Sequence, residues 1–96
     1  MTKVEKDHYD RLCRIGCIAC HTLGFGYSLP EIHHIRHGAG AGQKSAFDKA
    51  IPLCPHHHRL GGYGCAIHAG RRGFEATVGM TEVELLEKTL QLLEEL

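Results

Sequence analysis

Two pairs of ligand residues share one spacing, Cys17-x-x-Cys20 and Cys54-x-x-His57. At that spacing both donors of a pair can reach one tetrahedral ion from a tight turn. The four together form a candidate structural zinc site. The chain then holds more imidazoles than such a site can use. Glu31-Ile32-His33-His34-Ile35 carries two adjacent histidines, and Cys54-Pro55 runs straight into His56, His57 and His58. If zinc takes His57, its neighbour His58 is directed elsewhere. Neutral imidazole suits a general base near pH 7, and imidazole also binds transition metals. A base that takes a proton from water, beside a cation that stabilises a pentacovalent phosphorus, meets the needs of phosphodiester hydrolysis. Side chains alternate along a strand, so His33 and His34 face opposite ways unless the strand ends or bends there, and can hold different roles.

Other readings of these residues stay open. Cys17 and Cys20 could be a redox pair with Cys54 merely buried. Cys65-x-x-His68 repeats the ligand spacing, so a second zinc is a further option, although Cys13 and Cys65 also suit small apolar packing. His8, His21 and His56 read as surface residues, and His37 as either a ligand or a loop residue.

The elements that must position these groups are legible in outline. Thr2-x-x-Glu5 is a capping-box signal for a first helix over about 3–15. In that helix Val4, Leu12 and Ile15 share a face near Tyr9, and Gly16 ends it. Glu31–Ile35 and Ala50–Cys54 read as short strands, separated by a glycine-rich connection at 38–42. Pro55 suits the first position of a short helix over His56–Leu60. Gly73–Val78 reads as another turn or two, closed by Gly79. Thr81-x-x-Glu84 opens the last helix, over about 81–96. There Val83, Leu86, Leu90 and Leu93 form an apolar stripe, with Leu85, Leu92 and Leu96 beside it, for the core or for a homodimer contact.

With 96 residues the chain supports a single domain, 1–96, with its zinc-bearing core at about 16–79. Aromatic content of 6% and the absence of Trp leave a core of aliphatic side chains, and domains of this size often need a staple. Five cysteines, an odd count, argue against a disulfide framework. The charged first residues lack a signal-peptide stretch, and no segment is long enough to cross a bilayer. These features predict a cytoplasmic protein, in the host cell cytoplasm if phage-encoded. Net charge is zero, but its distribution is uneven. Between Ile32 and Phe74, Arg36, Lys44, Lys49, Arg59, Arg71 and Arg72 face Asp48 alone, whereas the tail is acidic through Glu75, Glu82, Glu84, Glu87, Glu94 and Glu95. A polyanion would meet the middle of the chain and avoid its end.

The combination of Cys17-x-x-Cys20, Glu31-Ile32-His33-His34-Ile35 and Leu53-Cys54-Pro55-x-His57-His58-Arg59 resembles the HNH, or ββα-metal, endonuclease superfamily. The run from Cys17 through His68, Gly73-Phe74-Glu75, Gly79 and Glu84-Leu85-Leu86 is similar to the phage recombination-enhancement, RecA-dependent nuclease family. The resemblance implies an α+β fold, a small zinc-stapled ββα-metal core with flanking N- and C-terminal helices. It implies a metal-dependent endonuclease that leaves 5′-phosphate and 3′-hydroxyl DNA ends. By position His34 matches the general base. His33 and His58 match ligands of a catalytic divalent ion (Mg²⁺, Mn²⁺, Ni²⁺ or Zn²⁺), and His68 matches a further ligand of that ion or of a phosphate. Arg59 matches a phosphate contact, and Arg36, Lys44, Arg71 and Arg72 are candidate DNA contacts beside it. DNA is the implied partner, with a recombinase or other phage protein as a candidate second, and no membrane. The superfamily's usual Asn is missing, since the chain contains none. Only a short mixed-charge helix stands where the phage protein has a basic extension, so RecA dependence is not part of the expectation. The alternative function is a non-catalytic zinc module that binds nucleic acid or protein.

Overall fold

The helices begin where threonine caps them. In the computed structural model, which describes residues 2–35 and 49–96, Thr2 caps α1 (Lys3–Ile15) by accepting from the Glu5 amide at 3.2 Å. Thr81 caps α4 (Glu82–Glu94) with a complete box. Its hydroxyl accepts from the Glu84 amide at 3.1 Å, and the Glu84 carboxylate accepts from the Thr81 amide at 2.8 Å. Gly16 ends α1 at φ 79°, ψ −171°, a conformation almost confined to glycine. A Cβ there would stand 2.6 Å from the Tyr27 ring. The chain can therefore turn sharply into Cys17.

Cys17 caps a helix that spacing alone did not predict, α2 (Ile18–Leu23), and its sulfur accepts from the Cys20 amide at 3.3 Å. Two short strands follow, β1 (Glu31–His34) and β2 (Ala50–Leu53), each one residue shorter than expected. They pair antiparallel with Glu31 opposite Leu53 and His34 opposite Ala50. β2 is buried at every position, and α1, α2 and α4 all pack on it. One wide turn spans His56–Leu60, where the Gly61 amide reaches back five residues to the His56 carbonyl at 2.9 Å. A tight turn at Ile67–Ala69 precedes α3 (Arg71–Val78), which Gly79 closes. This is a small α+β fold. Arg36, His37, Lys44 and Asp48 lie outside the described residues.

The main core joins Ile18, Ile51, Leu53, Phe74 and Leu85 to Cys17, Cys20 and Cys54. A second cluster of Leu12, Ala50 and Leu93 ties α1 to α4, with Tyr9, Ile15 and Ile32 against it. Two expectations about faces need correction. Val4 is 66% exposed, because α1 packs through Tyr9, Leu12 and Ile15 and its first turn does not. The inward face of α4 is Glu82, Leu85, Thr89 and Leu93, with Val83 and Leu90 left largely exposed. The face is turned by about one position because two polar residues have partners inside. Glu82 meets His33, and the Thr89 hydroxyl donates to the Leu85 carbonyl at 2.8 Å.

Gly16→Ala should cost about 1–3 kcal/mol, the usual penalty for forcing a side chain into such a conformation. Thermal denaturation of the zinc-loaded variant checks this, and an unchanged midpoint would contradict it.

Candidate functional site

The turn after β2 separates two groups of ligands. Successive residues of a helical turn point roughly 100° apart. His57 is buried and turns into the core, where its Nδ1 lies 3.3 Å from Cys54 Sγ, 3.4 Å from Cys20 Sγ and 3.6 Å from Cys17 Sγ. Cys20 and Cys54 sulfurs are 3.8 Å apart. Two sulfurs bound at about 2.3 Å to a tetrahedral ion would be separated by about 3.8 Å. The donor set, its burial and its spacing therefore fit zinc. All five cysteines are free thiols, so no disulfide competes for these residues. Burial pushes the Cys17 thiol up to about 12, against hydrogen bonds from the Cys54 and Cys20 amides that pull it down. Burial, and then His56, push His57 below its ordinary value, a direction that favours the neutral ring zinc binds. The Ser28 hydroxyl donates to Cys20 Sγ at 3.3 Å from outside the cluster.

His58 turns the other way. Its ring centroid lies 4.2 Å from that of His68 and 5.2 Å from that of His33, and His33 and His68 are 5.4 Å apart. Donor atoms of these three residues fall within 4.8 Å of one another, close enough to share an ion. Carboxylates orient two of them. His58 Nδ1 donates to Glu31 at 2.9 Å, which leaves Nε2 as its lone-pair nitrogen. His33 Nε2 donates to Glu82 at 2.8 Å, which leaves Nδ1. Arg59, and then His58, hold the Glu31 carboxyl down at about 2. Arg59 grips that carboxylate with two bonds, at 3.0 and 2.8 Å. Partial burial, then His58 and His33, push exposed His68 below its ordinary value, a direction that favours the neutral ring a metal needs.

These rings line a cleft of about 540 Å³, bordered also by Ile32, His34, Arg71 and Glu82. Strand alternation holds at its edge. Glu31 and His33 face the histidine turn, while Ile32 and His34 face α1. The cleft nonetheless takes in both rings of the pair, because His34 ends the strand. His34 is exposed, and its Nε2 lies 3.1 Å from the Tyr9 hydroxyl. Arg71 lines the cleft and Arg72 is exposed outside its lining. Cys65 does not join His68. Its sulfur lies 2.9 Å from His56 Nε2, on the exposed side of the wide turn.

Three residues that touch the site had no assigned role in the sequence. Glu31 carried a usable signal, since i and i+2 share a strand face and it precedes His33 by two. Glu82 and Tyr9 carried none, lying 49 and 25 residues from the rings they touch. Glu82 also corrects the reading of an acidic tail that stays away from the basic middle. It sits in the first turn of α4, where the helix dipole favours negative charge, and faces into the cleft.

Among known proteins, the family model described as recombination enhancement, RecA-dependent nuclease matches residues 1–94. The chain belongs to that family. No curated protein and no solved structure matches it.

Two outcomes follow from this geometry. Zinc needs thiolates, and the metal-free Cys17 is protonated at neutral pH, so zinc uptake should release protons and acid should expel the metal. Calorimetry in buffers of different ionisation enthalpy measures that release, and none would refute the ligand set. Glu82→Gln should weaken Mn²⁺ binding at the histidine cluster by about 10–100-fold, the usual cost of losing a carboxylate behind a ligand. Bound zinc, measured by elemental analysis, should stay unchanged.

Proposed function

We propose that this member of the RecA-dependent nuclease family is an HNH-type DNA endonuclease whose cleft hydrolyses phosphodiester bonds. The observation that carries the reading is the division of labour in one turn. Cys17, Cys20, Cys54 and His57 form a buried set, while His33, His58 and His68 gather in an open cleft beside His34. A purely structural metal site has no need of the second group.

His34 is the general base. It lies in the cleft beside the histidine cluster but outside it, so its nitrogen stays available to a water. A divalent ion held by His33, His58 and His68 would offset the charge that builds on the phosphate and the departing oxygen. Glu31 and Glu82 fix the rings of His58 and His33 before substrate arrives. Arg71 lines the cleft and is the phosphate contact we propose first, whereas Arg59 is held by the Glu31 carboxylate outside the cleft lining and would meet DNA only at its edge. Arg36, Lys44 and Arg72 remain proposed DNA contacts on charge alone. The family's description makes RecA on DNA the protein partner to test first. Among the described residues no helix is long and apolar enough to cross a membrane.

Supercoiled plasmid incubated with Mg²⁺, Mn²⁺ or Ni²⁺, with and without RecA, tests this reading. Wild-type protein should nick it, and His34→Ala should lose about 10²-fold or more in rate, the contribution of a general base. Zinc content and melting temperature should not change in the variant. No cleavage under any condition, or full activity of His34→Ala, would refute the assignment.

A further inference from the structure

The Tyr9 hydroxyl is the contact that the reading above does not use. Tyr9 lies on α1, outside the strand–turn unit that carries the histidines. Its ring is half-buried against Leu12, Ala50 and Leu93, and so is fixed by packing. The hydroxyl stands 3.1 Å from His34 Nε2, and the two rings meet edge to face with centroids 6.1 Å apart and planes at 90°. His34 is exposed at the end of a two-stranded sheet. Without a partner an exposed imidazole samples several rotamers, and a base must hold one.

We infer that Tyr9 is the positioning residue for His34, a role that rests on His34 being the base. The Nε2–H of His34 donates to the Tyr9 oxygen, which leaves Nδ1 as the bare nitrogen. In the reaction a water gives its proton to Nδ1, its oxygen bonds to phosphorus, and the bond from phosphorus to the 3′ oxygen breaks. The electron pair stays on the departing oxygen, which takes a proton from solvent. The imidazolium formed on the way keeps its Nε2–H on the phenol, so the ring does not turn as its charge changes. Tyr9 touches neither water nor phosphate in this scheme. It fixes which nitrogen of His34 faces them.

The test uses the full zinc-loaded chain and three variants, Tyr9→Phe, His34→Ala and the double substitution. Phe keeps the packing ring and removes only the hydroxyl. Nitrogen-15 NMR of the imidazoles should find His34 protonated at Nε2, with that proton's exchange slowed in wild type and fast in Tyr9→Phe. Tyr9→Phe should lower kcat about tenfold, as for one lost orienting hydrogen bond. KM, zinc content and melting temperature should stay unchanged, and the double variant should be no slower than His34→Ala. A neutral His34 protonated at Nδ1 would overturn the inference. So would an unchanged kcat in Tyr9→Phe, or losses that multiply in the double variant. A protein–DNA adduct that survives denaturant in wild type and vanishes in Tyr9→Phe would overturn it in favour of a phenol nucleophile. Each of these results leaves His34 needed for activity. Full activity of His34→Ala would instead strike the base assignment beneath.

Discussion

Two adjacent imidazoles cannot share a direction on a helical turn, and the fold is organised around that restriction. The turn that follows β2 starts at Pro55 and widens so that Gly61 bonds back to His56. Within it His57 enters the core beside three cysteines, and His58 leaves toward the cleft. A structural zinc contributes roughly 10–16 kcal/mol to folding in small zinc-bearing domains. A zinc held there would anchor His57 and with it the direction of His58. Stability and site geometry thus come from one short stretch of backbone.

The cysteines are part of the main core, not an addition at its edge. Cys17, Cys20 and Cys54 pack with Ile18, Leu53 and Phe74. Thiolates, the form that zinc binds, are costly to bury in apolar surroundings until a cation offsets their charge. A zinc held by these residues would couple its own binding to the packing of the aliphatic core.

The flanking helices do more than cover the sheet. α4 brings Glu82 to His33, and α1 brings Tyr9 to His34, while the cluster of Leu12, Ala50 and Leu93 locks the two helices together. The histidine pair is thereby gripped from both sides of β1. Arg11 reinforces this arrangement by donating to the Leu93 carbonyl at 2.5 Å. The acidic tail is thus not simply a surface that repels polyanions. One of its carboxylates belongs to the cleft, where the amides at the start of α4 and the His33 ring offset its charge.

Local chemistry made much of this readable. Ligand spacing marked Cys17, Cys20, Cys54 and His57, and threonine caps marked the starts of α1 and α4. Strand alternation separated His33 from His34, since a period of two needs only neighbours along the chain. Family likeness, more than spacing, singled out His68, since its ligand spacing pointed to Cys65 and not to the cleft. What stayed hidden depends on residues far apart in sequence. Hydropathy alone put Val83 and Leu90 inside and Glu82 outside, because it cannot register that a buried carboxylate has a histidine partner 49 residues away. Likewise Tyr9 looked like one more residue of an amphipathic helix until folding set its hydroxyl against His34. Ligand identity and caps are properties of short stretches and travel with the sequence. Orientation of the rings is decided by carboxylates, a phenol and a core that meet only once the chain has closed on itself.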